Sequence, residues 1–200
     1  MGGVEPPVTK RIASKIADSI ITLNGYSREK YAVLQFGMEL IVSSVIGCLL
    51  LAAISLFTGK PSAWIFFLVG FAPLKTSAGG YHAPTHFWCY VVTTGAFAVA
   101  ALLHFLTEST TWVPLSLSIL AWIVTILLSP VETHNKALSM QKKKRNRMVS
   151  INIVNTNVLF LLCMVLLKIH HFAISYIGLG VFAAAGSLLA AKIQNLIRKE

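Results

Sequence analysis

The chain has 200 residues, of which 56% are hydrophobic and only 12% are charged, far below the roughly 25% charged residues of an ordinary soluble domain. The mean hydropathy is +0.72 and the formal net charge is +10 at pH 7. A chain of this composition cannot hide its apolar surface in water, so the soluble classes are excluded and an all-α integral membrane protein is predicted.

Residues 1–24 are predicted to form an amphipathic helix. Its apolar stripe repeats every fourth position and is interrupted by three basic residues; the stripe is Val8, Ile12, Ile16 and Ile20. A helix whose apolar stripe is broken by charge lies in the headgroup plane and does not cross the bilayer. We therefore expect an N-terminal interfacial helix ahead of the membrane-embedded part.

The remainder is predicted to be a polytopic bundle of about six membrane-embedded helices forming a single membrane domain over 1–200. In chain order the segments are 27–57, 62–74, 84–107, 111–129, 150–167 and 172–191. Segment 62–74 is short for a crossing, which needs about 20 residues, and it contains Pro73. We expect either a stubby helix or a re-entrant one there.

The long connection at 130–149 is predicted to be a basic cytoplasmic loop. It carries Lys136, Lys142, Lys143, Lys144, Arg145 and Arg147. With six crossings and both termini inside, 15 of the 17 basic residues fall on the inner face and only Lys60 and Lys168 on the outer one. The positive-inside rule favours this topology, and the same charge predicts attraction to anionic lipid, not to nucleic acid.

Cys89 is the cysteine with unusual neighbours, since Cys48 and Cys163 lie in the middle of apolar segments. It follows a polar stretch that contains Gly79, Gly80 and His82. Paired glycines permit close backbone approach. Pro84 suits the first turn of a helix, which would leave His82 in the loop and Cys89 in the second helical turn.

His82 and Cys89 are candidates for a cysteine-protease dyad. A thiolate is the reactive form of cysteine, and a histidine within hydrogen-bond reach generates it. Three other interpretations stay open at this point. Cys89 and His82 are also compatible with simple packing at the membrane interface, His86 is a rival base, and His82, His86 and Cys89 could ligate zinc, although no fourth ligand is evident.

The spacing Lys75-x3-Gly79-Gly80-Tyr81-His82-x6-Cys89 in a 200-residue polytopic chain resembles the accessory gene regulator B (AgrB) family of quorum-sensing membrane endopeptidases. The basic segment from Ser129 to Arg147 is also similar to that family's loop between central spans. The resemblance covers nearly the whole chain.

What the resemblance implies is an enzyme of the cell membrane that cuts an AgrD-like pheromone precursor and assists its cyclisation through an acyl-enzyme thioester. His82 would be the base and Cys89 the nucleophile, in an active-site loop on the cytoplasmic side. The remaining implied site residues shape the loop or bind substrate: Lys75, where the family usually has arginine, Gly79, Gly80, Lys142, Lys143, Lys144, Arg145 and Arg147. The resemblance favours a homodimer, and neither a cofactor nor a metal is expected.

The sequence leaves two other classes of function open. A small-peptide transporter or exporter would explain the spans and an intramembrane Glu39, but transport needs a polar path at the midplane, which this chain hardly offers. A scaffold without chemistry would leave the glycine pair, His82 and Cys89 unexplained. In the last span, Gly180 and Ala184 form a small-residue face for packing within the chain or in a dimer.

Overall fold

The computed structural model describes residues 8–24, 31–81, 85–107, 110–131, 139–169 and 172–197. Within these ranges the chain is all-helical, as predicted, with seven helices and no strand. They are α1 Val8–Asn24, α2 Tyr31–Phe57, α3 Ala63–Ala78, α4 His86–Leu106, α5 Trp112–Leu128, α6 Met140–Leu166 and α7 Phe172–Ile197.

The chain divides into two compact units, Met1–Leu50 and Leu51–Glu200. In the first, α1 confirms the predicted N-terminal helix over residues 8–24. Its most buried row is Thr9, Ala13 and Ala17, whereas Ile12 of the predicted isoleucine stripe is 41% exposed. The placement of α1 in the headgroup plane stays a prediction.

Helix α7 is the centre of the second unit, where it packs against α3, α4, α5 and α6. The core around it contains large aromatic side chains, including Phe67 of α3, Phe97 of α4 and Tyr176 of α7 itself. Gly180 lies directly against the backbone carbonyl of Phe67, and the neighbouring Ala184 is buried. The small-residue face of α7 is therefore used for packing against α3 within the chain.

Helix α3 is one continuous helix of 16 residues that runs past the predicted end at residue 74 to Ala78. Pro73 lies inside it without ending it. A proline removes one backbone hydrogen bond, and here the helix continues on both sides of that position. The hydroxyls of Thr76 and Ser77 donate to the carbonyl of Pro73 in the last turn. Of the two expectations for this segment, the short helix is confirmed and Lys75 belongs to it.

Helix α6 corrects the predicted loop at 130–149. It begins at Met140 and not near residue 150, so the basic residues from Lys142 to Arg147 form its first two turns. Ser139 caps it by accepting a hydrogen bond from the N–H of Lys142 at 3.4 Å. Lysine, arginine and glutamine are good helix formers, and a search for apolar runs overlooks a polar turn that extends a span.

Among the described residues, four helices are long and apolar enough to cross a membrane: α2, most of α4, α6 and α7. Helices α3 and α5 have 16 and 17 residues, or about 24 to 26 Å at about 1.5 Å per residue. The predicted count of six crossings therefore stays a prediction. Many large apolar side chains are exposed on the helices, among them Phe57, Phe105 and Leu127, as expected of a surface that faces lipid.

Candidate functional site

Cys89 lies in the first turn of α4, close to its N-terminal end. The helix begins at His86, two residues later than the predicted start at Pro84, because Thr85 is the N-cap. The hydroxyl of Thr85 accepts from the N–H of Trp88 at 3.4 Å, and its carbonyl accepts from the N–H of Cys89 at 3.1 Å. Cys89 is thus two residues nearer the start of the helix than expected, in its first turn and not its second, and it is a free, half-buried cysteine.

The predicted base, His82, lies outside the described residues, as does the side chain of its rival His86. The assignment of the dyad therefore stays a prediction. The structure does describe the backbone that leads to His82, namely Gly79, Gly80 and Tyr81, which we call the glycine loop.

Gly79 is in the left-handed region, with φ at 81°, where residues with a side chain are strained. A Cβ added to it would overlap the backbone carbonyl of Val131, which follows α5. The N–H of Val131 in turn donates to the carbonyl of Ala78 at 2.9 Å. Two backbone segments thus meet where only glycine fits, which gives a physical reason for the first glycine of the pair.

Helix α7 holds the other end of the glycine loop. The N–H of Tyr81 donates to the carbonyl of Ser187 at 2.9 Å and lies 3.1 Å from its hydroxyl oxygen. A Cβ on Gly80 would be only 2.8 Å from that same hydroxyl oxygen. Ser187 is therefore a positioning residue that the sequence analysis missed, because nothing in its local pattern connects it with a loop 106 residues away.

The side chain of Lys75 lies beside the glycine loop, with its Cγ 3.7 Å from the position of a Cβ on Gly80, and it is near enough to Cys89 for a charge on the sulfur to act on the pKa of Lys75. Lys75 lies beyond the apolar stretch of α3, and its ammonium group is 4.9 Å from the centre of the Phe71 ring. Burial lowers the pKa of Lys75, and the negative charge of a Cys89 thiolate opposes that shift. Lys75 can thus place a positive charge beside the candidate nucleophile.

The basic residues of α6 are arranged around a separate pocket of about 700 Å³. Lys143, Lys144 and Arg147 line it, whereas Lys142 and Arg145 of the same predicted cluster do not. A fourth cation comes from Lys192 of α7. We call this the basic pocket. The basic residues from Lys142 to Arg147 are therefore divided between the pocket and the surface outside it.

Short contacts tie the same end of several helices together. The hydroxyl of Ser150 in α6 donates to that of Ser77 in α3 at 3.1 Å, and Arg147 donates to the carbonyl of Ile126 in α5 at 3.5 Å. With the contacts of Val131 and Ser187, these bonds gather the glycine loop and the start of α6 at one end of the second unit.

The structure leaves the zinc alternative untested. Among the residues that it describes, no group of three or more His, Cys, Asp or Glu side chains could hold a metal ion. The alternative required His82 and His86 beside Cys89, and those two side chains lie outside the described part.

Comparison with known proteins identifies the family. The family model described as Accessory gene regulator B matches residues 9–189 of the chain. The chain therefore belongs to the AgrB family. The stretch from Lys75 to Cys89 that carried the resemblance falls within the matched residues.

A curated relative, accessory gene regulator protein B of Staphylococcus aureus (strain MRSA252), is 31% identical over 123 residues. The alignment covers 60% of this chain and 62% of that AgrB protein, so the chain spans less than two thirds of the relative's length. No solved structure matches the chain.

Proposed function

We propose that this AgrB-family protein is a membrane-embedded cysteine endopeptidase that cleaves an AgrD-like pheromone precursor and passes the acyl group on to form a ring. The observation that carries the proposal is the position of Cys89, a free and half-buried cysteine in the first turn of α4, together with the half-buried side chain of Lys75 beside the glycine loop. A free cysteine that only packs between helices has no need of a half-buried cation as its neighbour.

The N-terminal end of α4 favours negative charge. Thr85 already accepts from the N–H groups of Trp88 and Cys89, but the helix dipole still places a partial positive charge at this end. Cys89 is the fourth residue of α4, so its sulfur lies beside this end. A protonated Lys75 would add a full positive charge, and together the two features would favour the oxyanion formed when a carbonyl is attacked.

The glycine loop supplies the second element of the mechanism. It is held at both ends, by Val131 at Ala78 and by Ser187 at Tyr81, and the next residue in the chain is His82. A loop fixed in this way limits the positions that His82 can reach, which lowers the entropic cost of holding a base near the sulfur. The support for His82 is this fixed attachment together with the family's spacing.

The proposed reaction has two steps. The Cys89 thiolate attacks the scissile carbonyl carbon, the C–N bond breaks, and protonated His82 gives its proton to the leaving amine. The N-terminal fragment then remains as a thioester on Cys89. A thiol or hydroxyl of the same peptide loses its proton to His82 and attacks the thioester, which closes the ring and releases Cys89 as a thiolate.

The proposed topology has both termini and the glycine loop on the cytoplasmic side. The bonds that join α3, α5, α6 and α7 near the glycine loop support it, because they put Lys75, the start of α6 and Lys192 at one end of the bundle. This is the distribution that the positive-inside rule favours. Labelling of a single cysteine introduced at residue 141 from outside intact cells would contradict it.

We also propose that the protein acts as a homodimer. Because Gly180 and Ala184 are already packed within the chain, the dimer would use another apolar surface of the bundle. Cross-linking in proteoliposomes tests the homodimer. Cross-linked products with the mass of a dimer are expected, and the mass of the monomer alone would contradict the proposal.

The experiment that tests the enzymatic proposal uses the protein in proteoliposomes with the precursor encoded beside it. Cys89→Ala should abolish cleavage and leave precursor binding unchanged, whereas Cys48→Ala and Cys163→Ala, which remove the other two cysteines, should keep most activity. Mass spectrometry of the parent protein should detect a hydroxylamine-sensitive adduct on Cys89. Cleavage that survives in Cys89→Ala would refute the proposal.

A further inference from the structure

The basic pocket is amphiphilic. Its lining contains the four cations Lys143, Lys144, Arg147 and Lys192 and the apolar side chains of Leu127, Leu128 and Met140. A ligand that fits both kinds of side chain carries negative charge at one end and hydrocarbon at the other. An anionic phospholipid has this structure, whereas a soluble anion leaves the apolar wall without a partner.

Two of these cations, Lys144 and Arg147, are in an electrostatically unfavourable position without such a ligand. Lys144 and Arg147 occupy the first two turns of α6, where the helix dipole is positive and favours acidic residues. From Leu51 onward, the described part of the chain includes no Asp or Glu, so no described carboxylate neutralises them. An anion bound in the pocket would offset both the dipole and the repulsion among the cations.

Ser129 provides a second, independent observation. It lines the pocket and is 3% exposed, yet its buried hydroxyl has no hydrogen-bond partner in the structure. A buried hydroxyl without a partner is costly, and a phosphate oxygen is a suitable acceptor for it. The pocket therefore contains a neutral donor beside its charged ones, as phosphate sites commonly do.

We propose that the basic pocket is a binding site for the phosphate of an anionic phospholipid from the inner leaflet, held by Ser129, Lys144, Arg147 and Lys192. The site lies at the end of the bundle where the positive-inside rule places the cytoplasmic surface, which is the level of the lipid phosphates. Ser129 is two residues from Val131, which contacts the glycine loop, so the bound lipid is adjacent to the segment that positions it.

The test measures lipid binding and does not depend on the proposed enzymatic activity. The full chain in detergent is titrated with phosphatidylglycerol or phosphatidylcholine, and the bound lipid is counted by native mass spectrometry. Phosphatidylglycerol should bind more tightly. Lys192→Gln or Arg147→Gln should weaken it about fivefold, from about 1 kcal/mol for each basic residue near a lipid surface.

Matched controls separate the pocket from general surface charge. Lys142→Gln and Arg145→Gln remove the same charge from the same two turns but do not line the pocket, so they should change the affinity by less than about twofold. Lys192→Arg keeps the positive charge and should retain the affinity. A loss of affinity in Lys192→Gln is then due to the lost charge and not to misfolding. Ser129→Ala should weaken binding of phosphatidylglycerol while leaving phosphatidylcholine unaffected.

Three results would overturn the proposal. An equal loss of affinity for phosphatidylglycerol in Lys142→Gln and Lys192→Gln would show that the lipid is attracted by surface charge in general and not by this pocket. Inorganic phosphate that binds as tightly as phosphatidylglycerol would make the ligand a soluble anion. Displacement by an acidic peptide, without preference between the two lipids, would make the pocket a peptide site.

Discussion

The glycine loop and the basic start of α6 lie at the same end of the second unit but are built in different ways. The glycine loop is fixed by backbone contacts, from Val131 on one side and Ser187 on the other. The start of α6 has exposed charges on a regular helix, and Lys142, Lys144 and Arg145 all face solvent. One region is specified by shape and the other by charge.

The difference predicts how each region responds to substitution. Backbone contacts at van der Waals distance allow little relaxation, so a single added methyl group has a large effect. Exposed charges act over several ångströms and are screened by salt, so removal of one has a small and graded effect. The glycine loop should therefore control the chemical step, and the exposed charges should control encounter with the precursor.

The largest effect is expected at the histidine that follows the glycine loop. His82→Ala should lower kcat about 10²- to 10⁴-fold, since an unassisted thiol is mostly protonated at neutral pH and the leaving amine would lack its acid. His86→Ala should lose far less. Cleavage rates and alkylation by iodoacetamide at pH 6 measure both variants. If His86→Ala removes the low-pH alkylation and His82→Ala retains it, the base is the other histidine.

Substitution of Gly79 should show that the shape of the loop is specified. Gly79→Ala adds the cost of a side chain at φ 81° and ψ −168°, about 1–3 kcal/mol, to an overlap with the carbonyl of Val131, and cleavage should fall more than about tenfold. Gly59→Ala is the matched control, because Gly59 also has positive φ, at 70°, but has nothing within 4 Å of an added Cβ. Similar losses of cleavage and thermal stability in both variants would reduce the role of Gly79 to backbone strain.

Much of the fold could be predicted from sequence because helix ends are local. The end of α2 at Phe57 and the two caps of α5, Thr111 and Ser129, lie at the predicted positions. The start of α6 was missed because hydropathy detects the apolar part of a span and not its polar extension. The contacts of Val131 and Ser187 with the glycine loop are long-range backbone contacts, and no spacing in the sequence indicates them.

Substitution of Lys75 should have an intermediate effect because charge and shape combine there. Lys75→Met should slow alkylation of Cys89 about tenfold at neutral pH, whereas Lys75→Arg should keep most of the rate. The pKa of Lys75 is lowered by burial, so Lys75 loses its charge at a lower pH than an exposed lysine does. The advantage of the parent over Lys75→Met should therefore shrink as the pH rises, because Lys75 loses its charge and the thiol ionises without help, whereas the advantage of Lys75→Arg should shrink only because the thiol ionises. A constant ratio across pH would contradict a charge effect.

Substitutions at Gly80 and Ser187 should have a smaller effect on cleavage than those above, and each should partly compensate for the other in a double-mutant cycle. Gly80→Ala should reduce cleavage several-fold because its Cβ would lie 2.8 Å from the Ser187 hydroxyl oxygen. Ser187→Ala should cost less, since Tyr81 keeps the Ser187 carbonyl as its acceptor at 2.9 Å.

The double variant of Gly80 and Ser187 should recover part of the cleavage lost in Gly80→Ala, because the clashing oxygen is gone. Gly186→Ala, with nothing within 4 Å of its Cβ, is the matched control on the same helix. Strictly additive losses in the cycle would show that the two residues do not act on each other.

The smallest effect is expected at the two exposed cations outside the basic pocket, Lys142 and Arg145. Replacing both by Gln should raise the KM for a precursor with an acidic tail about threefold and remove part of its salt dependence, with kcat unchanged, because exposed charges act mainly on encounter. The control replaces Lys60 and Lys168 by Gln, which removes the same charge from the predicted outer face. In neutral lipid at low salt, only the first pair should change the KM. An equal rise of the KM for both pairs would show that the net charge matters and not its position. An unchanged KM would mean that Lys142 and Arg145 contribute to membrane topology and not to binding of the precursor.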